Sequence, residues 1–473
     1  MHDTIIRGGT IHRGDGAEPI VGDVAIQDGI IVEVGGRIAA PARQEIDADG
    51  AIVTPAWVDI HTHYDGQVTW DEEMNPSASH GVGTIVMGNC GVGFAPVPRG
   101  GQKALIELME GVEDIPGTAL YEGMPWGAWE TYPQYLDYLA SRKYALNVAS
   151  MIAHGAVRNY VMGEGAGNAD ATEAQAARIA GLVEEALRAG AVGFSTSRIM
   201  GHRSIHGDQV PGTFAPETEL MAVAEAFRRV GAGVLQLIPS GTLGTEGEHT
   251  PLEAEVDMIC RLSAAAGRPA TFTLFETFAD RTQAHRILDQ VKAANCGAAR
   301  VFPQVGSRPT GFVFSLASYH PFMAKPSYLA LAHLPPAERA KALRDPAVKA
   351  RILTEENVPP TLPGTMEALI PNVPFPMQQT FPLAQDESYE PLPEESFQAR
   401  AEAAGGDDGR SALYDYLVGG DGEDFAVAFF TGYSEFTLDG LRDLQLDDTT
   451  VVGLSDGGAH VGAIFDAVNP TFQ

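Results

Sequence analysis

Cysteine is scarce in this sequence: Cys90, Cys260 and Cys296 are the only three among 473 residues. So few exclude a disulfide-stapled scaffold and leave each thiol as a small buried hydrophobe or a metal ligand. Basic residues are also in short supply, 31 Lys and Arg against 62 Asp and Glu, for a formal charge of -31. A surface of that sign repels phosphate backbones and anionic headgroups, which argues against nucleic-acid or membrane binding. No basic-plus-apolar leader precedes the first strand-like run, and no apolar stretch approaches the roughly 18 to 20 residues that span a bilayer. A soluble, cytoplasmic protein is the expectation. What is present is ordinary core-forming material, 44% hydrophobic, in a chain long enough for one large domain and a smaller one. Nothing in it decides for or against a homo-oligomer.

Residues 1–53 carry "DTIIRGGTI", "GDVAIQDGIIVEVG" and "QEIDADGAIVTP", β-branched runs punctuated by Gly and Asp, and predict a small β domain. From 54 to 473 apolar runs of strand length alternate with helical stretches, the signature of a parallel α/β architecture. About eight such runs occur, the number a closed (β/α)8 barrel requires: "AWVDI", 83–89, 145–153, 191–197, 233–238, 269–275, 299–305 and 450–456. "PETELMAVAEAFRRVG" reads as a helix that starts near Thr213 or Pro216 and stops at Gly231. The stretch 306–449 breaks the repeat. It is helical and charged, then Pro-rich, then helical again, and is read as a long insertion between strands seven and eight that forms a lid or pocket wall.

In a barrel, chemistry sits at the carboxyl ends of the strands. The first run ends in Asp59, His61 and His63, the second in "GNCG" with Cys90, the third at His154 and the eighth in "LSDGGAH" with Asp456 and His460. Alternation along a strand sends i and i+2 to one side, so His61 and His63 can present two imidazoles to one point. Imidazole, thiolate and carboxylate are the ligand set of zinc. Asp456 also has the bland reading of a helix N-cap, and His154 and His460 read equally as hydrogen-bonding partners of the site or as core residues.

Taken together, "DIHTHYDGQ", "GNCGVGFAPV" and "SDGGAHVG", in that order and at those strand ends, resemble the amidohydrolase superfamily, in its D-aminoacylase or N-acyl-D-amino-acid deacylase branch. The resemblance runs over nearly the whole chain. It implies a TIM-like barrel with a small N-terminal β-sandwich domain, and a zinc-dependent hydrolase that removes N-acyl groups from D-amino acids. It implies His61, His63, Cys90 and Asp456 as metal ligands, with Asp456 also activating the attacking water and protonating the leaving amine. A carboxylate-bearing substrate implies a cation at the site, for which Arg198, Arg203 and Arg308 are the candidates.

Three departures from the branch shape the expectation. Strands five and six end without the histidines the branch uses, offering Gln236 and Glu276 instead. One zinc is therefore favoured over two, unless His202, His206 or His249 folds back from a loop. The chain also ends soon after strand eight, before the strands that in the resembled branch return to complete the small β domain; a fragment is the expectation, in which residues 1–53 would lack partner strands and expose sheet edges. Two other functions stay open: a cyclic-amide hydrolase of the dihydropyrimidinase or hydantoinase kind, disfavoured because no predicted strand end carries a lysine, and a non-catalytic barrel that binds a small ligand.

Overall fold

The structure, a computed structural model, describes residues 1–167, 169–244, 247–383 and 388–465. It divides into two compact units, Met1–Val58 and the chain from Asp59 on.

The first unit is a five-stranded sheet built around His2–Ile11. That strand pairs antiparallel with Ile20–Gln27 and parallel with Ala42–Asp47 and Ile52–Val53. Its small core is Ile5, Ala25 and Ile38. Arg7 ties the sheet together, donating to Asp23 Oδ2 at 2.8 Å and Glu45 Oε1 at 2.6 Å. Ile30, Ile31 and Val32 are exposed.

The larger architecture is an eight-stranded parallel sheet whose strands follow one another in chain order. They are Trp57–Asp59, Val82–Met87, Asn147–Ala153, Gly193–Ser197, Val234–Ile238, Ala270–Thr273, Val301–Gly306 and Val451–Gly453. Each lies within one of the runs expected from sequence or within a residue of it. A bridge between Thr62 and Gly457, just beyond strands one and eight, nearly closes the barrel. On strand five Leu235, Gln236, Leu237 and Ile238 are all buried, the two-sided burial of a parallel sheet covered by helices. Those helices include Glu173–Ala189, whose start is fixed by a Thr172–Gln175 capping box, and Glu217–Val230, which runs between Pro216 and Gly231 as expected. Val183, Phe194, Val223, Phe227, Leu235 and Phe272 belong to one continuous core. Each such side chain contributes about 1.5–3 kcal/mol on burial.

The insertion differs from its sequence reading. It contains helices, among them Pro336–Leu343 and Gly409–Leu417, but it is organised by an antiparallel sheet of Thr380–Leu383, Phe425–Thr431 and Thr310–Phe314, joined at its edge by Ile464–Phe465 from beyond strand eight. Those strands are short and far apart in the chain, so no local pattern pairs them. The insertion also has its own core, including Phe314, Phe322, Leu343, Ile352 and Leu413. Phe312 of its sheet packs on Phe465 at 4.3 Å between ring centroids, and Phe465 packs on His460 at 4.2 Å. The insertion thus abuts the loop that follows strand eight.

Candidate metal centre

The segment after strand one is laced to both of its neighbours. Thr62 N donates to Val86 O of strand two, His63 N donates to Gly457 O, and Asp456 N donates to His61 O. With Thr62 turned toward strand two, His61 and His63 fall side by side, their ring centroids 5.4 Å apart. Both are buried.

Cys90 reaches them from a strained turn. Its own φ is +53°, and Gly88 and Gly91 on either side are at +82° and +71°. A Cβ on Gly88 would lie 2.2 Å from Met151 O, and one on Gly91 would lie 3.0 Å from Ser197 N. Only glycine fits both the conformation and the space. The turn is pinned by Ser195, whose Oγ accepts from Gly91 N at 3.0 Å and donates to Gly88 O. Cys90 Sγ then sits 3.3 Å from His61 Nε2 and 3.8 Å from His63 Nε2.

Asp456 closes the cluster, with Oδ1 at 3.4 Å from His61 Nε2 and 3.3 Å from His63 Nε2. It too has a left-handed backbone, φ +50°. Ser455 beside it donates to Asp59, a carboxyl that burial pushes up to about 6. His460 Nε2 lies 3.7 Å from Asp456 Oδ2. Burial by itself would raise the Asp456 carboxyl, but hydrogen bonds from His460 and His63 and the charges of His61 and His63 outweigh it, and its pKa is held well below the ordinary carboxylate range.

These atoms suit a zinc ion. Two imidazole nitrogens and a thiol within 4.8 Å of one another are the donors a tetrahedral site draws on. Gln304 Oε1 faces His61 Nδ1 at 2.9 Å. Because that oxygen only accepts, Nδ1 carries the proton and Nε2 presents its lone pair to the cluster. Burial raises the Cys90 thiol well above its usual range, and the nearby Glu113 and Asp456 carboxylates raise it further. A thiolate here needs a cation beside it.

The other sequence candidates lie elsewhere, with one exception. His154 is at the end of strand three as expected, but its ring turns outward into a buried network: Nδ1 meets Thr196 Oγ1 at 2.9 Å, Nε2 meets Glu219 Oε1 at 2.8 Å, and Arg158 donates to both Glu219 oxygens. Arg198 is committed to Glu255, at 2.6 and 3.1 Å, and to Ala215 O. Arg203 donates to Met200 O and Gly207 O within its own loop. Both therefore read as structural cations rather than as partners of a substrate carboxylate. Arg308 lies over the Tyr389 ring, and Glu276 accepts from Ser434 N in the insertion. Of the loop histidines, His206 pairs with Glu107 and His249 with Arg198 O. The exception is His202, close enough to feel the charges of His61, His63, Asp456 and His460, with Nδ1 held 2.8 Å from Ser197 Oγ. Gln236 is fully buried in the barrel, and neither of its amide atoms has a partner among the described residues.

Two residues of the cluster lie outside the sequence reading. Gln304 is a neutral side chain inside the seventh run, which only the alternation of that strand aims inward. Glu113 belongs to a helix rather than a strand end, and its Oε2 lies 3.3 Å from His63 Nε2.

Known proteins resemble the chain in sequence and in fold. N-acyl-D-aspartate deacylase of Alcaligenes xylosoxydans xylosoxydans is 35% identical over 231 residues, 49% of this chain and 42% of that protein. N-acyl-D-glutamate deacylase of the same organism is 30% identical over 265 residues, 56% of this chain and 48% of that protein. The matched part is thus under half the length of either relative. The crystal structure of N-acyl-D-glutamate deacylase from Bordetella bronchiseptica, complexed with zinc and a phosphonate inhibitor, superposes with a TM-score of 0.58 at 22% identity, over 96% of this chain and 76% of that one. That likeness is one of fold. The amidohydrolase family model matches residues 44–357, well over half of the sequence, and the chain belongs to that family.

Proposed function

We propose that the protein is a zinc-dependent hydrolase of linear amides that removes the acyl group from N-acyl-D-amino acids. The observation that carries this reading is the convergence of His61 Nε2, His63 Nε2 and Cys90 Sγ with Asp456 Oδ1, 3.4 and 3.3 Å from the two imidazoles. The names of its relatives, deacylases of N-acyl-D-aspartate and N-acyl-D-glutamate, support the substrate class.

His61, His63 and Cys90 would hold the ion. Zinc bound there supplies Lewis acidity, polarising an amide carbonyl and lowering the pKa of water toward about 7. Asp456 does the proton work. Its side chain is 30% exposed, whereas the imidazoles beside it are buried, so it is the member of the cluster that solvent reaches. Held ionised, with His460 Nε2 3.7 Å from its Oδ2, it accepts the proton of the attacking water at an Oδ atom and passes it to the departing amine. Gln304 keeps His61 in the tautomer that offers Nε2.

The test is amine release from a panel of N-acetyl-D- and N-acetyl-L-amino acids by zinc-loaded protein. Hydrolysis of D substrates, lost in Asp456→Asn while zinc is retained, supports the reading. Zinc-loaded protein that turns over no N-acyl-D-amino acid sinks it, and turnover of cyclic amides instead would move the chain to that reaction.

A further inference from the structure

The metal-centre reading leaves one buried carboxylate unexplained. Glu113 is the last residue of the helix Gln102–Glu113 and is 2% exposed. Its Oε2 lies 3.3 Å from His63 Nε2, the same distance as Asp456 Oδ1 from that nitrogen, with Cys90 Sγ at 3.8 Å. An imidazole nitrogen carries one proton or one lone pair, so it satisfies at most one of these two carboxylates. Glu113 Oε1 is buried and has no hydrogen-bond partner among the described residues. Among the described residues the ion pairs of Glu113 and Asp456 are with histidines alone. Two carboxylates and a thiol crowd onto His63, and among the described residues neither carboxylate pairs with Lys or Arg, so a cation beside them would balance their charge.

The backbone holds Glu113 there. The helix ends at Asp114, whose φ is +53°. His460 N donates to Glu113 O at 2.6 Å and Val461 N to Asp114 O at 3.1 Å. Asp114 Oδ2 accepts from Gly462 N and Ala463 N, each at 2.7 Å. The helix terminus is thus stitched to the loop that follows Asp456, and its dipole adds negative potential that favours a cation.

We propose that Glu113 is a metal ligand, the fourth donor beside His61, His63 and Cys90, which leaves Asp456 to carry the proton. This rests on the metal-centre reading above. The division follows from accessibility: the Glu113 side chain is 3% exposed and that of Asp456 30%, so only the latter meets incoming water. It also accounts for a site without the strand-five and strand-six histidines of the branch, since the missing donor comes from a helix end.

The test is zinc affinity, measured by competition with a chromophoric chelator on the parent, Glu113→Gln and Asp456→Asn, with cobalt spectra of each as a view of the coordination sphere. Glu113→Gln is expected to bind zinc at least about 10- to 100-fold more weakly and to change the cobalt spectrum, with a smaller loss in Asp456→Asn. Parent-like affinity in Glu113→Gln overturns the assignment and leaves the metal centre standing. A parent that takes up no zinc overturns the centre itself. Should Glu113→Gln not fold, anomalous diffraction from zinc-soaked parent crystals decides: a Glu113 oxygen about 2.0–2.2 Å from the ion is expected, and a Glu113 turned away from it overturns the proposal.

Discussion

Gln304, on strand seven, holds His61, beyond the end of strand one, through a 2.9 Å hydrogen bond across the barrel interior. The bond fixes both the tautomer and the ring plane of a proposed zinc ligand. Gln304→Leu, similar in size but without the acceptor, is expected to weaken zinc binding about 10- to 100-fold. Chelator competition measures it; unchanged affinity would mean that packing alone orients His61.

The Cys90 turn is expected to tolerate no side chain at position 88. Gly88→Ala places a Cβ at φ +82° and 2.2 Å from Met151 O, so strain and overpacking add. A loss of about 2 to 5 kcal/mol in folding stability is expected. Urea unfolding at fixed zinc reads it, and a midpoint equal to the parent's would show that the turn relaxes freely.

The barrel was legible in the sequence because its central strands, Gly193–Ser197 and Val234–Ile238 among them, are buried on both faces and so appear as apolar runs, although Trp57, Val58 and Val452 of the first and last strands are exposed. The pairing of His61 with His63 was legible because it needs only the alternation of an extended segment. Cys90 and Asp456 stood out through their glycine neighbours, and in the structure both sit at positive φ. Glu113 and Gln304 were not legible. One enters from a helix terminus, and its role depends on a tertiary stitch to residues 460–463. The other is uncharged and gains meaning only from facing His61. The insertion sheet was hidden for a related reason: Thr310–Phe314 pairs with Phe425–Thr431 across a long stretch of chain.

His154 shows the converse, a strand-end histidine engaged away from the cluster. It shares Glu219 with Arg158, all three buried, with contacts of 2.8 Å from His154 Nε2 and 2.6 Å from Arg158 Nη1. Removing the carboxylate leaves a guanidinium without its counter-ion, so Glu219→Ala is expected to cost about 3–5 kcal/mol. Zinc content of the folded protein should not change. Lost zinc in well-folded Glu219→Ala would place His154 among the residues that support the site.

Acid sensitivity should come in part from the insertion. His320 is fully buried, with Nδ1 accepting from Phe322 N at 3.2 Å, Nε2 without a partner among the described residues, and the Tyr328 ring 4.7 Å away. Burial, with a smaller push from the Arg339 charge, lowers its pKa from 6.5 to about 3. Above pH 6.5 the side chain is neutral in both folded and unfolded chains and contributes no pH dependence. As pH falls below 6.5 the unfolded chain takes up a proton that the folded one refuses, so stability declines down to about pH 3, by about 1.4 kcal/mol per unit. His320→Asn keeps an acceptor for Phe322 N but does not titrate. Between pH 7.5 and pH 5 the parent is therefore expected to lose about 2 kcal/mol more than this variant in urea unfolding. Equal losses would mean that His320 is protonated within the fold, with its Nε2 proton given to an acceptor.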